Sequence, residues 1–544
     1  MALPNSAVSI NKVAPKFHPS VWGDFFINHT PDALQISDEK MTERVNQLKE
    51  EVSGLFGACK NVMEKLNLVD TLQHLGIDHL FVEPIETTLS SIHKAGFNSS
   101  ILHEVALRFR LLRQHGLWVS ADEFNKFKHE DGSFVSDITN DPKGLLGLYN
   151  AANLLVHGEG QLEEALSFAR HHLESMRCNL KSPLAEQVGR ALKIPLPRNI
   201  RREETISYIL EYDMQDETYK AAILELAKLE FNRLQHVHQK ELKEISLWWK
   251  DLYGDVKLDY VRDRVVEGYF WSYSCLYEEE HARSRVVLAK LLMLTSLLDD
   301  TFDEHATLEE CRVLAKAIER WDENDVSVLP EYLKKFFLRL ISNFREFEEL
   351  LEPHEKYRSA YIRKVFQNIS KSYLQEAEWS HQNCTPSFRD QVNVSVVSAG
   401  GELVAIGLLF GLGVIATKEV FEWATQNSNT VRAVGEISRF IDDLTDFKRG
   451  RNKRDVASSV ECYIKENNVT SEVALAKVTS LVDDAWKTLN QELFEDRAPL
   501  SVINQITNFG RSVMFLYHDG RDGYTNSKEV KEALESHFVK HIPI

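Results

Sequence analysis

Helical periodicity runs through this chain from about residue 38 to its end, and it leaves little room for a sheet. Asp38, Glu39 and Lys40 open a segment in which Val45, Leu48, Val52 and Leu55 recur every three to four positions. Similar stripes occupy residues 223–242 and 333–351. Alternating apolar and polar runs bounded by turn pairs are scarce, and only 14 prolines interrupt 544 residues. The expected fold class is all-α. No short internal repeat is present, which disfavours a solenoid. Two prolines and a basic run make residues 192–202 the best internal break, and a second helical set is expected to start close to Tyr219. The expected organisation is an irregular arm over residues 1–30, with Pro4, Pro15 and Pro19, then helical domains over 31–218 and 219–544.

Composition removes several functional classes. Hydrophobic residues make up 43 % of the chain, enough for buried cores and too many for wholesale disorder. With 82 acidic against 64 basic side chains, the net charge of -18 repels a nucleic-acid backbone. The longest nearly pure apolar stretch, residues 403–416, falls short of the about 20 residues a membrane span needs and is expected to be a buried helix. Six scattered cysteines without a C-x-x-C pair suit a reducing compartment, not a disulfide framework or a zinc site. The first arginine is Arg44 and no apolar signal core precedes Trp22, so the cytosol is the expected location. Nothing demands more than a monomer.

Two acidic windows carry the chemistry. In residues 291–305 an apolar helix runs into Asp299, Asp300 and Asp303. Residues four apart share a helix face, so Asp299 and Asp303 are expected to point at one spot. Two carboxylates about 4 Å apart repel by roughly 4 kcal/mol at an effective dielectric of 20, a cost a cation would offset. Carboxylate pairs with open coordination positions suit Mg²⁺, which keeps waters and accepts substrate phosphates. About 140 residues further on, Asp442 and Asp446 repeat the spacing with Asp443 between them. Two helices ending this way can face each other across one cavity. A diphosphate on an apolar tail fits such a cavity: metals hold the head and apolar helices line the tail pocket.

Arg262, Arg264 and Arg439 offer forks for phosphate oxygens. Trp271, Tyr517 and Tyr524 offer π faces for a cation, at roughly 0.5–2 kcal/mol per contact. Residues 519–523, Asp-Gly-Arg-Asp-Gly, form a turn signal suited to a lid. On the helix before Asp299, the residues Leu292, Thr295 and Ser296 fall on the pocket side. Any one of these side chains is more often a core or surface residue; the combination with the acidic pairs singles them out.

With Asp-Asp-Thr-Phe-Asp at 299–303 and Arg-Asp-Arg-Val-Val-Glu-Gly-Tyr-Phe-Trp at 262–271, the chain resembles a plant class I terpene synthase of the sesquiterpene type. The likeness extends to Leu-Arg-Phe-Arg-Leu-Leu-Arg-Gln-His-Gly at 107–116 and Phe-His-Pro-Ser-Val-Trp-Gly-Asp at 17–24, and so spans nearly the whole chain. The resemblance implies two helical domains, the C-terminal one binding farnesyl diphosphate with three Mg²⁺ ions, Mn²⁺ being an alternative. It further implies that Asp299 and Asp303 carry metal with Asp300 in support, and that Arg262, Arg264 and Arg439 take the departing diphosphate. Trp271, Tyr517, Asp522 and Tyr524 match positions implicated in shaping and quenching the cation. The N-terminal domain carries no Asp-x-Asp-Asp motif, so cyclisation started by protonation is not expected.

One departure concerns the second metal motif. The common family series of Asn/Asp, Ser/Thr and Glu falls here on Asp442, Asp446 and Gly450, closer to the second aspartate-rich motif of δ-cadinene synthase and of prenyl chain-elongating enzymes. The expectation is that Asp446 offsets the missing glutamate and that position 450 lies on the same helix face. Alternatives remain open: a chain-elongating prenyltransferase, a monoterpene synthase using geranyl diphosphate, or a helical scaffold with degenerate sites. Residues 398–401, Ser-Ala-Gly-Gly, either reshape a pocket or simply break a helix. Residues 411–416 match a dinucleotide fingerprint but lack the strand it needs, so close helix packing is expected there. The basic run 448–454 is read as a loop over diphosphate or a solvated loop.

Overall fold

The computed structural model describes residues 17–29, 38–212, 220–426, 428–450, 456–495 and 497–544. The protein is all-α. Among the described residues there is no β-strand, only an isolated bridge between Lys128 and Phe134. The helices enclose two hydrophobic cores, one running from Met41 to Phe231 and the other from Trp22 to Phe538.

Among the described residues the chain passes between these cores more than once. The arm returns to the C-terminal core, where Trp22 and Phe26 are buried and Trp22 Nε1 donates to Glu267 at 3.1 Å. The long helix Ala221–Val256 is shared. Its start, from Ile223 to Phe231, packs into the N-terminal core, and Leu234, Leu242, Ile245 and Trp249 belong to the other. The expected boundary at 218/219 lies outside the described residues, and the apolar face that follows it serves both sides.

In the C-terminal core, helix Ala282–Asp300 is apolar nearly all round, which marks a helix buried on every side. It packs against Val265–Cys275 and Gly401–Gly411. Gly407 and Gly411 permit this approach: a Cβ on Gly411 would lie 2.5 Å from the Ser284 backbone nitrogen. Of the two fingerprint-like glycines, Gly411 is therefore a packing residue, whereas Gly413 turns the chain at φ 59° in open space. The break at 398–401 separates helices Phe388–Ser398 and Gly401–Gly411, with Gly400 at φ 82° as the left-handed hinge. Gly401 lies against the backbone of helix Asn429–Arg449, so this glycine brings two helices together and does not open a pocket. By length and composition the segment Phe388–Gly411 could cross a membrane, but 72 % of its apolar window is buried inside the molecule.

Candidate active site

The first acidic rim forms where helix Ala282–Asp300 changes character. From Thr301 to His305 the backbone widens into a π turn. The expected regular α spacing between Asp299 and Asp303 is thus interrupted, a distortion common at functional sites. Asp299 is partly exposed, Asp303 is exposed and Asp300 is buried. Arg262 closes the rim. Its Nη2 lies 2.6 Å from Asp299 and 2.8 Å from Asp300, and its backbone N–H donates to Asp300 at 2.7 Å. Burial, with the charge of Asp299 beside it, pushes Asp300 up to about 6 in spite of Arg262.

Helix Asn429–Arg449 carries the second rim. Ser428 caps its start by accepting from the Val431 N–H, and Gly450 ends it at φ 68°. Arg439 Nη1 lies 3.1 Å from Asp442 and 3.2 Å from Asp443. The other oxygen of Asp443 accepts from the backbone N–H of Ser459 at 2.7 Å, at the start of helix Ser459–Asn467. Asp443 and Asp300 are thus each tied to a backbone N–H and an arginine, which makes them braces for their outward neighbours. Burial, followed by the charges of Asp446, Asp443 and Asp522, pushes Asp442 up to about 8 despite Arg439.

Two side chains on helix Arg358–His381, outside the motifs of the sequence, lie in the fields of charged groups from both rims. Tyr373 is buried and its hydroxyl is driven up by burial and by the fields of Asp299, Glu376 and Asp303. Glu376 is pushed up to about 7 by burial and by Asp299 and Asp443, while Arg439 and a 2.7 Å bond from the Ser398 hydroxyl oppose the shift. On the opposite side Tyr517 feels Asp442, Asp522, Arg262 and Asp446 together. Neither Tyr373 nor Glu376 lies in a recognisable motif; their only sequence signal is the polar face of an otherwise core-forming helix.

Aromatic groups stand beside the first rim. Trp271 and Tyr524 stack with centroids 4.4 Å apart, and the Tyr524 hydroxyl donates to Ser296 Oγ at 2.7 Å. The guanidinium of Arg262 lies 5.2 Å from the Tyr524 ring. Thr295 and Ser296 are buried, and Leu292 is a core side chain of the same helix. Thr295 Oγ1 and Trp271 Nε1 are buried without a hydrogen-bond partner.

Two expectations need correction. Arg264 does not face the rims: fully buried, it donates to the carbonyls of His18, Asp263, Tyr524 and Thr525 and so fastens the arm to the C-terminal loop. Gly450 does not extend the helix face that bears Asp442 and Asp446, because its left-handed conformation is what stops the helix. In the basic run, Arg449 is engaged by Glu529 and the Gly520 carbonyl; residues 451–454 lie outside the described residues. The turn at 519–523 is folded, with Asp522 accepting from the Thr525 N–H at 2.9 Å and its own N–H donating to Glu529.

Facing acidic rims next to stacked aromatics in a helical core define a class that comparison identifies. Residues 250–488 match the terpene synthase family, metal binding domain, and residues 21–192 match the terpene synthase, N-terminal domain. The chain is 64 % identical to tau-cadinol synthase of Zea mays, covering 98 % of each sequence. It is 59 % identical to alpha-copaene synthase of Zea mays over 98 % of this chain and 100 % of that protein. Isoprene synthase from grey poplar (Populus x canescens), solved with three Mg²⁺ ions and dimethylallyl-S-thiolodiphosphate, superimposes with a TM-score of 0.85 at 30 % identity, covering 93 % of this chain and 98 % of that one. The chain belongs to the terpene synthase family and contains its metal-binding domain.

Proposed function

We propose that this chain is a sesquiterpene synthase that ionises farnesyl diphosphate and cyclises the allylic cation, releasing diphosphate. The observation that carries this reading is the pair of aspartate rims, each closed by an arginine, beside the Trp271–Tyr524 stack. High identity to two sesquiterpene-forming relatives supports the choice of a fifteen-carbon substrate. Six free cysteines support a reducing compartment such as the cytosol.

Among the described residues no group of three or more His, Cys, Asp or Glu side chains is gathered around one point. The donor set nevertheless fits magnesium. It is all carboxylate oxygen, and burial first, then neighbouring like charges, hold Asp442 and Asp300 toward protonation, a strain that a cation relieves. Asp299 and Asp303 on one rim and Asp442 and Asp446 on the other would hold the ions, with Asp300 and Asp443 as braces. Bound magnesium supplies the positive charge that stabilises diphosphate as a leaving group.

The remaining steps belong to the chain. Arg262 and Arg439 are each paired with aspartates, and exchanging those partners for phosphate oxygens places two forks on the leaving group. The ring faces of Trp271 and Tyr524 stabilise positive charge on the carbon chain, and the buried apolar wall of helix Ala282–Asp300 keeps water from ending the reaction early.

The decisive experiment incubates the purified chain and Mg²⁺ with geranyl, farnesyl or geranylgeranyl diphosphate and analyses the volatiles by gas chromatography. Cyclic fifteen-carbon products that vanish with chelator are expected. Products from geranyl diphosphate alone, or longer diphosphates formed only when isopentenyl diphosphate is added, contradict the proposal.

A further inference from the structure

Away from the acidic rims, a cavity of about 110 Å³ lies at the junction of the two helical domains. Helices Val62–His74 and Leu102–Gln114 wall it on one side, Ser471–Glu492 and Leu500–Leu516 on the other, and the connection through residues 196–204 closes it. One water occupies about 30 Å³ in the liquid, so the space exceeds that of a single solvent molecule.

Its lining is cationic. Arg110, His74, Arg201 and Arg511 all reach it, against one acidic side chain, Glu204. Three of the four cations are neutralised by carboxylates. Arg110 pairs with Asp70, and Arg201 lies 2.7 Å from Asp78. Asp70 and Glu204 hold His74 up at about 9 against the effect of burial. Arg511 is different. Its Nε donates to the Pro197 carbonyl at 2.9 Å and its Nη1 to the Asn508 side chain, and among the described residues no carboxylate pairs with it. Burial, and then the nearby charge of Arg201, lower its basicity. A guanidinium nevertheless stays protonated in proteins, so this is a partly buried positive charge with no carboxylate partner among the described residues.

We propose that the domain junction is a binding site for a small tetrahedral oxyanion, phosphate or inorganic diphosphate, held by Arg511 and Arg201. Planar guanidinium forks match the paired oxygens of such an anion, and a ligand bridging the two arginines replaces their repulsion with attraction. The site is separate from the acidic rims, whose aspartates repel anions when metal is absent. It would join helices of both domains through one ligand, on the helix that ends at Tyr517.

The test uses the full-length protein in EDTA and low-chloride buffer, titrated by calorimetry with inorganic phosphate and, separately, inorganic diphosphate. One saturable site is expected, weakened at least tenfold by Arg511→Gln and unchanged by Arg439→Gln. Tighter binding of diphosphate assigns the site to released product; tighter binding of phosphate assigns it to the medium. If Arg511→Gln does not fold, Asn504→Phe fills the cavity with the guanidinium intact and must weaken binding too. Hydrogen exchange should show phosphate-dependent protection of residues 102–114 and 500–516. Absence of saturable binding by the wild type, loss through Arg439→Gln alone, or full affinity in Asn504→Phe overturns the proposal.

Discussion

The guanidinium of Arg262 lies 2.6 Å from the carboxylate of Asp299, so a proposed phosphate ligand and a proposed metal ligand neutralise each other before either meets substrate. Binding must therefore exchange partners. Arg262→Gln removes one charge-assisted contact to the leaving group, worth about 1.5–3 kcal/mol. It also frees Asp299. Steady-state assays of diphosphate release should show kcat/KM down by roughly tenfold to hundredfold, with the half-saturating Mg²⁺ concentration lowered. Unchanged kcat/KM contradicts the role.

Asp446 and Gly450 separate what the second rim needs for chemistry from what it needs for folding. Asp446→Ala should reduce turnover by at least about a hundredfold at saturating Mg²⁺, since it removes an outward carboxylate and leaves the Asp443 brace intact. Gly450→Glu should leave magnesium affinity unimproved and lower stability by about 1 kcal/mol, because the position adopts a left-handed conformation. Paired turnover and urea-melt measurements check both; a Gly450→Glu variant with tighter magnesium binding would restore the idea that position 450 faces the ions.

Glu267 predicts a pH dependence of stability. It is fully buried, accepts from Trp22 through one oxygen and has no partner for the other. Burial pushes its carboxyl up to about 7 from an ordinary 4.5. The folded state therefore binds the proton more tightly than the unfolded chain. This contribution to stability is complete below about pH 4.5 and is lost as pH rises through 7. A shift of this size corresponds to on the order of 3 kcal/mol. Denaturant melts at pH 5 and pH 8 should show a smaller difference in Glu267→Gln than in the wild type; identical differences reject the assignment.

Tyr524 joins the rim to the aromatic stack through its hydroxyl on Ser296 and its ring on Trp271. Tyr524→Phe keeps the ring and removes the tether, so turnover should stay within about threefold while the product profile shifts. Tyr524→Leu removes the π face as well and should lower kcat by about threefold to thirtyfold, in line with roughly 0.5–2 kcal/mol for a cation–π contact. Chromatographic profiles alongside rates distinguish the two effects, and an unaltered profile in both variants removes Tyr524 from the pocket.

How much of this was legible in the sequence depended on the range of the interactions. Helices and the packing role of Gly411 follow from local pattern, and the two aspartate pairs from spacing alone, whereas the pattern at 398–401 leaves a helix break and a reshaped pocket both open. The π turn at Thr301–His305 does not, because its backbone widening depends on surroundings that regular α spacing ignores. Arg264 was misjudged since its partners, His18, Tyr524 and Thr525, lie some 250 residues away in either direction. Tyr373 and Glu376 were missed because a polar residue on a core helix carries no motif. Gly450 could have been read correctly: a glycine directly after Lys448 and Arg449 at the end of an apolar stripe is a helix-stop signal.

The shared helix Ala221–Val256 has a consequence for how this protein could be shortened or rearranged. A gene fragment starting near residue 219 would expose the apolar turn set Ile223, Leu224, Leu226 and Phe231 to water, and the matching upstream fragment would lack the wedge that fills its interior. Neither piece could be excised cleanly, because this helix is a common axle on which both cores bear. Heating the intact chain should accordingly melt both halves in one calorimetric peak.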